Sequence, residues 1–330
     1  MKPFDYQRAT DADSAIATVS RDPEARYIGG GTNLVDHMKL GITEPGKLVD
    51  ITRLPYDSVE SLPDGRVRIG ATVRNSDLAA EPVIRQRYPV LAQALLSGAS
   101  GQLRNLATTG GNLLQRTRCS YFQDVTTPCN KREPGSGCSA LEGWNRHHAV
   151  LGASERCVAT HPSDMAVALA ALDADVLVAG PDGQRTVPVT ELHRLPGDEP
   201  EQDTVLRHGE LVTAVELPSL PFAVRSRYRK VRDRASYAFA LVSVAAAVEV
   251  TDGDITDARI AFGGLAHKPW RATAAERALH GAPATEEAFR AAADAELAEA
   301  ETLRDNEFKV PMTRNTLASV LRELTQQEGS

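Results

Sequence analysis

Outside residues 116–157 the sequence has no cysteine: all four thiols fall in the run RTRCSYFQDVTTPCNKREPGSGCSALEGWNRHHAVLGASERC. A fold stapled by disulfides is small and cysteine-rich, so four cysteines in 330 residues exclude that class. Long apolar runs are missing too. Stretches such as ALVSVAAAVEV at 240–250 are far too short to span a bilayer. The first thirty residues lack a basic start followed by an apolar block, so the chain is expected to carry no export signal or anchor of its own. There is no excess of positive charge either, and a net charge of -7 argues against nucleic acid or an anionic membrane as partner. No internal repeat is visible, and AAADAELAEAE from 291 reads as Ala/Glu helix rather than linker. With 42% hydrophobic and 25% charged residues, the chain can build two or three domains, each with its own core.

Periodicity and turn signals divide the chain into units at 1–53, 54–218 and 221–330. In the first, TDADSAIATVS follows a Thr10/Asp11 cap, RYI runs into GGGTN, and KLVDI follows a Pro45-Gly46 turn, giving a small α/β unit. The second carries the hairpin-like SVESLPDGRVRIG, the helix PVLAQALLSGAS, the cysteine segment, the helix SDMAVALAALDA and the hairpin DVLVAGPDGQRTVPV, and closes with LVTAVELP. In the third, RSRYRKV, LVSVAAAVEV and DARIAFGGL precede Ala-rich helices near 271–279, 285–303 and 313–327. Strands first and helices after predict an antiparallel sheet covered by helices on one face, an α+β class.

Two glycine turns carry chemistry. YIGGGTNLV puts Gly29, Gly30 and Gly31 directly after a short strand, where consecutive backbone N–H groups can converge on an anion with no side chain in the way. It is not the G-x-G-x-x-G fingerprint, since Thr32, Asn33 and Leu34 follow. LATTGGNLLQ repeats the character with Thr108, Thr109, Gly110, Gly111 and Asn112, so two such loops could hold one dinucleotide between them. The first is equally readable as a plain turn, and the second, taken alone, reads better as a turn. Ser163 and Asp164 look like an ordinary helix start, N-cap and first turn. The cysteine spacing C-x9-C-x8-C-x18-C lacks the short pair usual in structural zinc sites. An iron-sulfur cluster, two disulfides, a zinc site and free thiols all stay open on the spacing alone.

Taken in order, GGGTNLV, LATTGGNLL, SDMAVALAALDA, RYRKVRDRASYAFALVSVA and AFGGLAHKPWRA resemble the FAD-binding medium subunit of the molybdenum hydroxylase family, which includes xanthine dehydrogenase and carbon monoxide dehydrogenase. The resemblance covers essentially the whole chain. It implies a two-subdomain FAD-binding fold of the vanillyl-alcohol-oxidase/PCMH type at 1–53 and 54–218, then the α+β domain with which medium subunits end, at 221–330. Many medium subunits run straight from the second glycine turn to the Ser-Asp helix. The longer segment 116–157 is similar to that of the FAD subunit of bacterial periplasmic aldehyde oxidoreductase, which implies a 4Fe-4S cluster on Cys119, Cys129, Cys138 and Cys157.

Carried over by position, the resemblance makes Tyr27, Ile28, Gly29, Gly30, Gly31, Thr32, Asn33 and Leu34 the first FAD loop, with the Gly29–Asn33 amides on the pyrophosphate. Thr108, Gly111 and Asn112 belong to the second loop, and Asp164 bonds the sugar or ribityl portion. Val212 packs near the isoalloxazine, and Lys230 stands close to the ring, where a cation favours the anionic reduced flavin; Arg232 and Arg234 line the rim. Without the family, Lys230 reads as a lysine on an exposed strand edge. The implied function is electron transfer within a complex. A large molybdenum-cofactor subunit oxidises an aldehyde, a small subunit with two 2Fe-2S centres relays electrons, and FAD on this chain passes them to ferredoxin, quinone, NAD or oxygen. The compartment implied is the periplasm, reached with a partner bearing a twin-arginine signal, or the cytoplasm. A stand-alone FAD-dependent oxidoreductase and a structural zinc-binding scaffold are the alternatives.

Overall fold

The computed structural model describes residues 1–326 and contains three sheets. Strands β1 (Asp5–Arg8), β2 (Ala25–Ile28) and β3 (Lys47–Asp50) form a parallel sheet in the order β1-β3-β2. Parallel neighbours need crossovers, and the helices Ala12–Arg21 and Leu34–Lys39 lie in them. Asp11 opens the first helix by accepting the Ser14 amide at 2.7 Å. That helix buries Ala15, Ile16 and Val19, a stripe at helical spacing.

The second sheet is antiparallel: β4 (Val59–Ser61), β5 (Val67–Gly70), β6 (Asp175–Gly180), β7 (Gly183–Pro188) and β8 (Leu211–Leu217), in the order β4-β5-β8-β6-β7. The third, also antiparallel, runs β12-β11-β10-β9, from β9 (Ser226–Val231), β10 (Val242–Thr251), β11 (Asp254–Gly263) and β12 (Trp270–Arg271). Alternation along β10 gives this sheet two different faces. Val242, Val244, Ala246 and Val248 join the core of the helices Thr273–Leu279, Glu286–Leu297 and Lys309–Thr325. Ala245 turns the other way and, with Ala261 and Tyr228, joins the core of the second unit. The predicted one-sided helix cover therefore holds for the unit's own helices, while the second unit covers the other face.

The helix Asp164–Ala171 lies at that junction. Every one of its residues is buried, as a helix that is apolar all round after its first residue, Asp164, must be. A Cβ at Gly263 would lie 2.6 Å from Val167 Cγ2, so glycine on β11 permits the close approach. Two helix boundaries differ from the periodic pattern. The helix read as 285–303 stops at Leu297, because the Glu301 amide donates to the Val150 carbonyl at 2.9 Å and the Asp305 amide to Asn145 Oδ1 at 2.9 Å. Pairing with the cysteine segment thus outcompetes Ala/Glu propensity. The last helix starts at Lys309 rather than near 313, with Pro311 in the first turn, where its missing N–H costs nothing.

Candidate cofactor site

The first glycine loop leaves β2 and reaches the helix Leu34–Lys39. Among the described residues, the amides of Gly30, Gly31, Thr32 and Asn33 have no protein acceptor. Four open donors in a row are the nest that the sequence suggests. Gly31 takes a φ of +72°, which favours glycine. Gly30 does not; its constraint is crowding, since a Cβ there would lie 1.9 Å from the Leu106 carbonyl oxygen of the second loop. Tyr27 anchors the preceding strand by donating its hydroxyl to the Gly209 carbonyl at 2.8 Å.

The second loop is built differently. Thr108 caps the short helix Thr109–Leu113, its Oγ1 accepting from the Gly111 amide at 3.2 Å, and the Thr109 and Gly110 amides donate to the Val73 and Ala71 carbonyls. Its amides are mostly spent within the protein, so it closes the cleft as a wall instead of opening a second nest. Side chains then lock the loops together. Asn33 Oδ1 accepts the Arg116 amide at 2.9 Å, and Asn112 Oδ1 lies 2.6 Å from Ser163 Oγ, which also caps the next helix by accepting from the Ala166 amide.

At the start of that helix, Asp164 is buried with two donors on its carboxylate. Lys230 Nζ lies 2.7 Å from Oδ2, and the Tyr228 hydroxyl lies 2.5 Å from Oδ1. The Lys230 side chain is 4% exposed, which excludes an exposed edge although β9 is an edge strand. It also donates to the Ser97 carbonyl at 3.2 Å, and Arg232 reaches the same oxygen at 3.0 Å. Burial, reinforced by the Asp164 charge, pushes the Tyr228 phenol well above its ordinary range.

Two openings share Thr32, Asn33 and Gly111 in their walls and form one trough. The cleft of about 440 Å³ takes the whole first loop together with Leu211 and Val212. The cavity of about 210 Å³ beyond it is bounded by Asp164, Lys230, Leu95, Arg118, Tyr237 and Phe239. Val212 lines the first of these openings and Lys230 the second. A further cavity of about 430 Å³ shares Asp164, Arg118 and Phe239 with this end and reaches Cys119.

The cysteine segment holds one short helix, Ser120–Gln123, between the second glycine loop and the Ser-Asp helix. All four thiols are free, with Cys129 and Cys157 buried. Cys129 and Cys138 face each other across an isolated antiparallel bridge, and Cys119 Sγ lies 3.1 Å from His148 Nε2. Burial pushes the Cys119 thiol up to about 11, with Cys129 and Cys138 adding to the rise. It pushes Cys157 up to about 12, with Cys138 and Cys119 adding. The thiols are thus near enough to oppose one another's ionisation. Among the described residues no three His, Cys, Asp or Glu side chains converge as on a single ion.

Two family profiles cover the chain: the FAD binding domain in molybdopterin dehydrogenase over residues 2–220, and the CO dehydrogenase flavoprotein C-terminal domain over 226–326. The chain belongs to the FAD-binding medium subunits of the molybdenum hydroxylases. It is 52% identical to the aldehyde oxidoreductase FAD-binding subunit PaoB of Escherichia coli (strain K12), over 99% of this chain and 100% of that protein. It is 27% identical to the glyceraldehyde dehydrogenase medium chain of Sulfolobus acidocaldarius, over 84% and 81% respectively. A solved carbon monoxide dehydrogenase from Hydrogenophaga pseudoflava superposes with a TM-score of 0.76 at 26% identity, covering 98% of each chain.

FAD is therefore this medium subunit's cofactor, and the open amides beside the glycine wall fit its pyrophosphate. Sequence reasoning does not single out Tyr228, which bonds Asp164 from behind the wall, or Arg118, Tyr237 and Phe239, which line the trough. Tyr228 was legible in principle, since it stands two positions before Lys230 on one strand and so shares its face. Arg118 was not, because nothing in RTRC tells that its guanidinium lies over the Phe239 ring, 5.1 Å from the centroid.

Proposed function

We propose that this chain is the electron-transfer subunit of a molybdenum-dependent aldehyde oxidoreductase, with FAD in the trough and a 4Fe-4S cluster on Cys119, Cys129, Cys138 and Cys157. The observation that carries the placement of FAD is the run of open amides from Gly30 to Asn33, of which Thr32 and Asn33 line both openings. The isoalloxazine is assigned to the end with Lys230, Tyr237 and Phe239, which adjoins the cavity reaching Cys119. Val212 is reassigned to the adenosine end, beside Leu211 and the first loop. Once bound, FAD supplies a carrier that exchanges electrons singly or in pairs.

The chain's own part is to bind and screen. Gly29 to Asn33 cradle the pyrophosphate, with Thr108, Gly111 and Asn112 walling it in. Asp164 accepts from the cofactor's hydroxyl-bearing portion, and Tyr237 and Phe239 border the ring. Four free thiols that oppose each other's ionisation suit a polycation, which would hold them as thiolates. The similarity to PaoB over the full chain supports the aldehyde reading. A large molybdenum-cofactor subunit and a small subunit with two 2Fe-2S centres are the proposed partners, and an external acceptor takes the electrons.

Anaerobically purified full chain should carry one FAD and about four irons with sulfide, the content of one cluster on four thiolates. Each Cys→Ser variant should lose iron and keep most flavin. Cys–Cys bonds in unreduced peptides, or zinc without iron, would overturn the cluster; a colourless chain would overturn the placement of FAD.

A further inference from the structure

The family resemblance gives Lys230 the task of stabilising negative charge on the reduced flavin, and the structure removes the means. Lys230 Nζ is 2.7 Å from Asp164 Oδ2, with the two side chains 4% and 8% exposed. As a unit the pair is neutral, so it gives the cavity a dipole and no net charge. The other charged side chains in that wall are Asp36, which is exposed, and the guanidiniums of Arg104 and Arg118. Arg104 donates to the Gly98 carbonyl at 2.7 Å and Arg118 to the Arg116 carbonyl. Among the described residues neither has a carboxylate within ion-pair distance.

Arg118 differs from Arg104 in position. It lines both the flavin end of the trough and the cavity that reaches Cys119. It stacks on Phe239 and immediately precedes Cys119 in the chain. A cation drawn partly out of water, with only the exposed Asp36 carboxylate acting on it from beyond ion-pair distance, is costly, and the cost falls when an anion forms beside it.

We infer that Arg118, and not Lys230, is the cation that stabilises negative charge on the reduced isoalloxazine, acting from the partition between the flavin cavity and the cysteine loop. Lys230 then has a different duty: it neutralises Asp164, so that a buried carboxylate can bind the cofactor without repelling the charge that reduction brings. The inference rests on FAD lying in this cavity as proposed above.

Sulfite tests it without substrate or partner. Its sulfur lone pair bonds to flavin N5 and the ring takes the negative charge at N1 and the C2 carbonyl, so the dissociation constant of the adduct reads the nearby cation. On the full chain with its flavin, Arg118→Gln should keep FAD and weaken sulfite binding by roughly tenfold or more, the scale for one charge near a partly buried anion. Arg118→Lys should restore most of the affinity, and Arg104→Gln should weaken it less than Arg118→Gln does. Lys230→Met should lower FAD content, because Asp164 is left unpaired. A wild-type flavin that takes up no sulfite overturns the inference. So does an Arg118→Gln protein with full FAD and unchanged affinity, or a larger loss from Arg104→Gln. If Arg118→Gln cannot hold flavin, Phe239→Leu carries the test by removing the guanidinium's platform: a several-fold loss supports the inference and none overturns it. A wild-type chain without flavin would instead sink the reading beneath it.

Discussion

The glycine trough and the cysteine loop are two candidate cofactor sites ordered by opposite means. The trough lies between regular elements, and its shape comes from backbone brought close to backbone. The loop has almost no regular structure, and side chains satisfy its main chain. Arg132 donates to the carbonyls of Tyr121, Phe122 and Thr127. Asn130 accepts the Gly137 amide at 2.8 Å and donates to the Arg156 carbonyl at 2.9 Å. Buried Lys131 bonds the Pro200 carbonyl and pairs with Asp203, whose carboxyl, despite desolvation, is held far below its usual range by Arg116 and Lys131. A segment poor in apolar side chains can thus be ordered provided its buried polar groups find partners. The loop has a framework that does not depend on its thiols alone.

The sharpest way to break the comparison is Gly30→Val. A Cβ at this position meets the Leu106 carbonyl oxygen at 1.9 Å and its carbon at 2.6 Å, so the two loops must part. Flavin should be lost altogether, while the iron of the cysteine loop stays near wild type. Absorbance and iron analysis of one preparation read both. If flavin and iron fell together, the two sites would be one cooperative unit. If flavin stayed, the trough would be misplaced.

Next in size is Arg132→Met, which keeps much of the stem and leaves the Phe122 and Thr127 carbonyls without this donor, while the Tyr121 carbonyl keeps the Thr127 hydroxyl. The loss should be about 3–6 kcal/mol, concentrated in the loop, at the scale of two charge-assisted bonds. Hydrogen exchange should quicken across 121–132 while FAD content holds. Unchanged exchange would mean that the thiols or their cluster, and not side-chain bonds, order the segment.

The same contrast explains what could be read from the sequence. The glycine loop, the Ser163 cap and the Val/Ala alternation of β10 are local signals, in which the residue type states its own requirement. Gly31 needs positive φ, and that is visible in one letter; Gly30 needs absence of a Cβ because Leu106 crosses it, and that is visible only in three dimensions. Asp164 looks like an ordinary first-turn carboxylate until Lys230, distant in sequence, arrives on its oxygen. Val212 lines the opening that holds the first glycine loop, a position that its place in a strand does not announce. The cysteine loop is the extreme case: its composition reads as a loop that must fold around something, whereas most of its bonds run to its own backbone or to elements the sequence does not connect with it.

One of those connections titrates. Lys309 is fully buried, and its Nζ donates to the carbonyls of His148 at 2.8 Å and Gly264 at 2.7 Å, pinning the cysteine loop and β11's exit to the last helix. Burial, with Arg146 adding, pushes its pKa down to about 7. A neutral amine still has two hydrogens for two carbonyls, so the bonds survive the loss of the charge. In the unfolded chain the ordinary value of about 10.4 applies, so between pH 7 and 10 the unfolded state binds the extra proton and stability rises with pH. Below pH 7 both states are protonated, and the cost of burying the charge is fully present. Denaturation at successive pH values should show wild type gaining on Lys309→Met by about 1 kcal/mol between pH 7 and 8, less than the limit of one proton per unit. The comparison of the two curves cancels the thiols, which titrate alike in both. Parallel curves would show that Lys309 keeps its charge in the fold, and the pin between loop and helix would then be an ionic one insensitive to pH in this range.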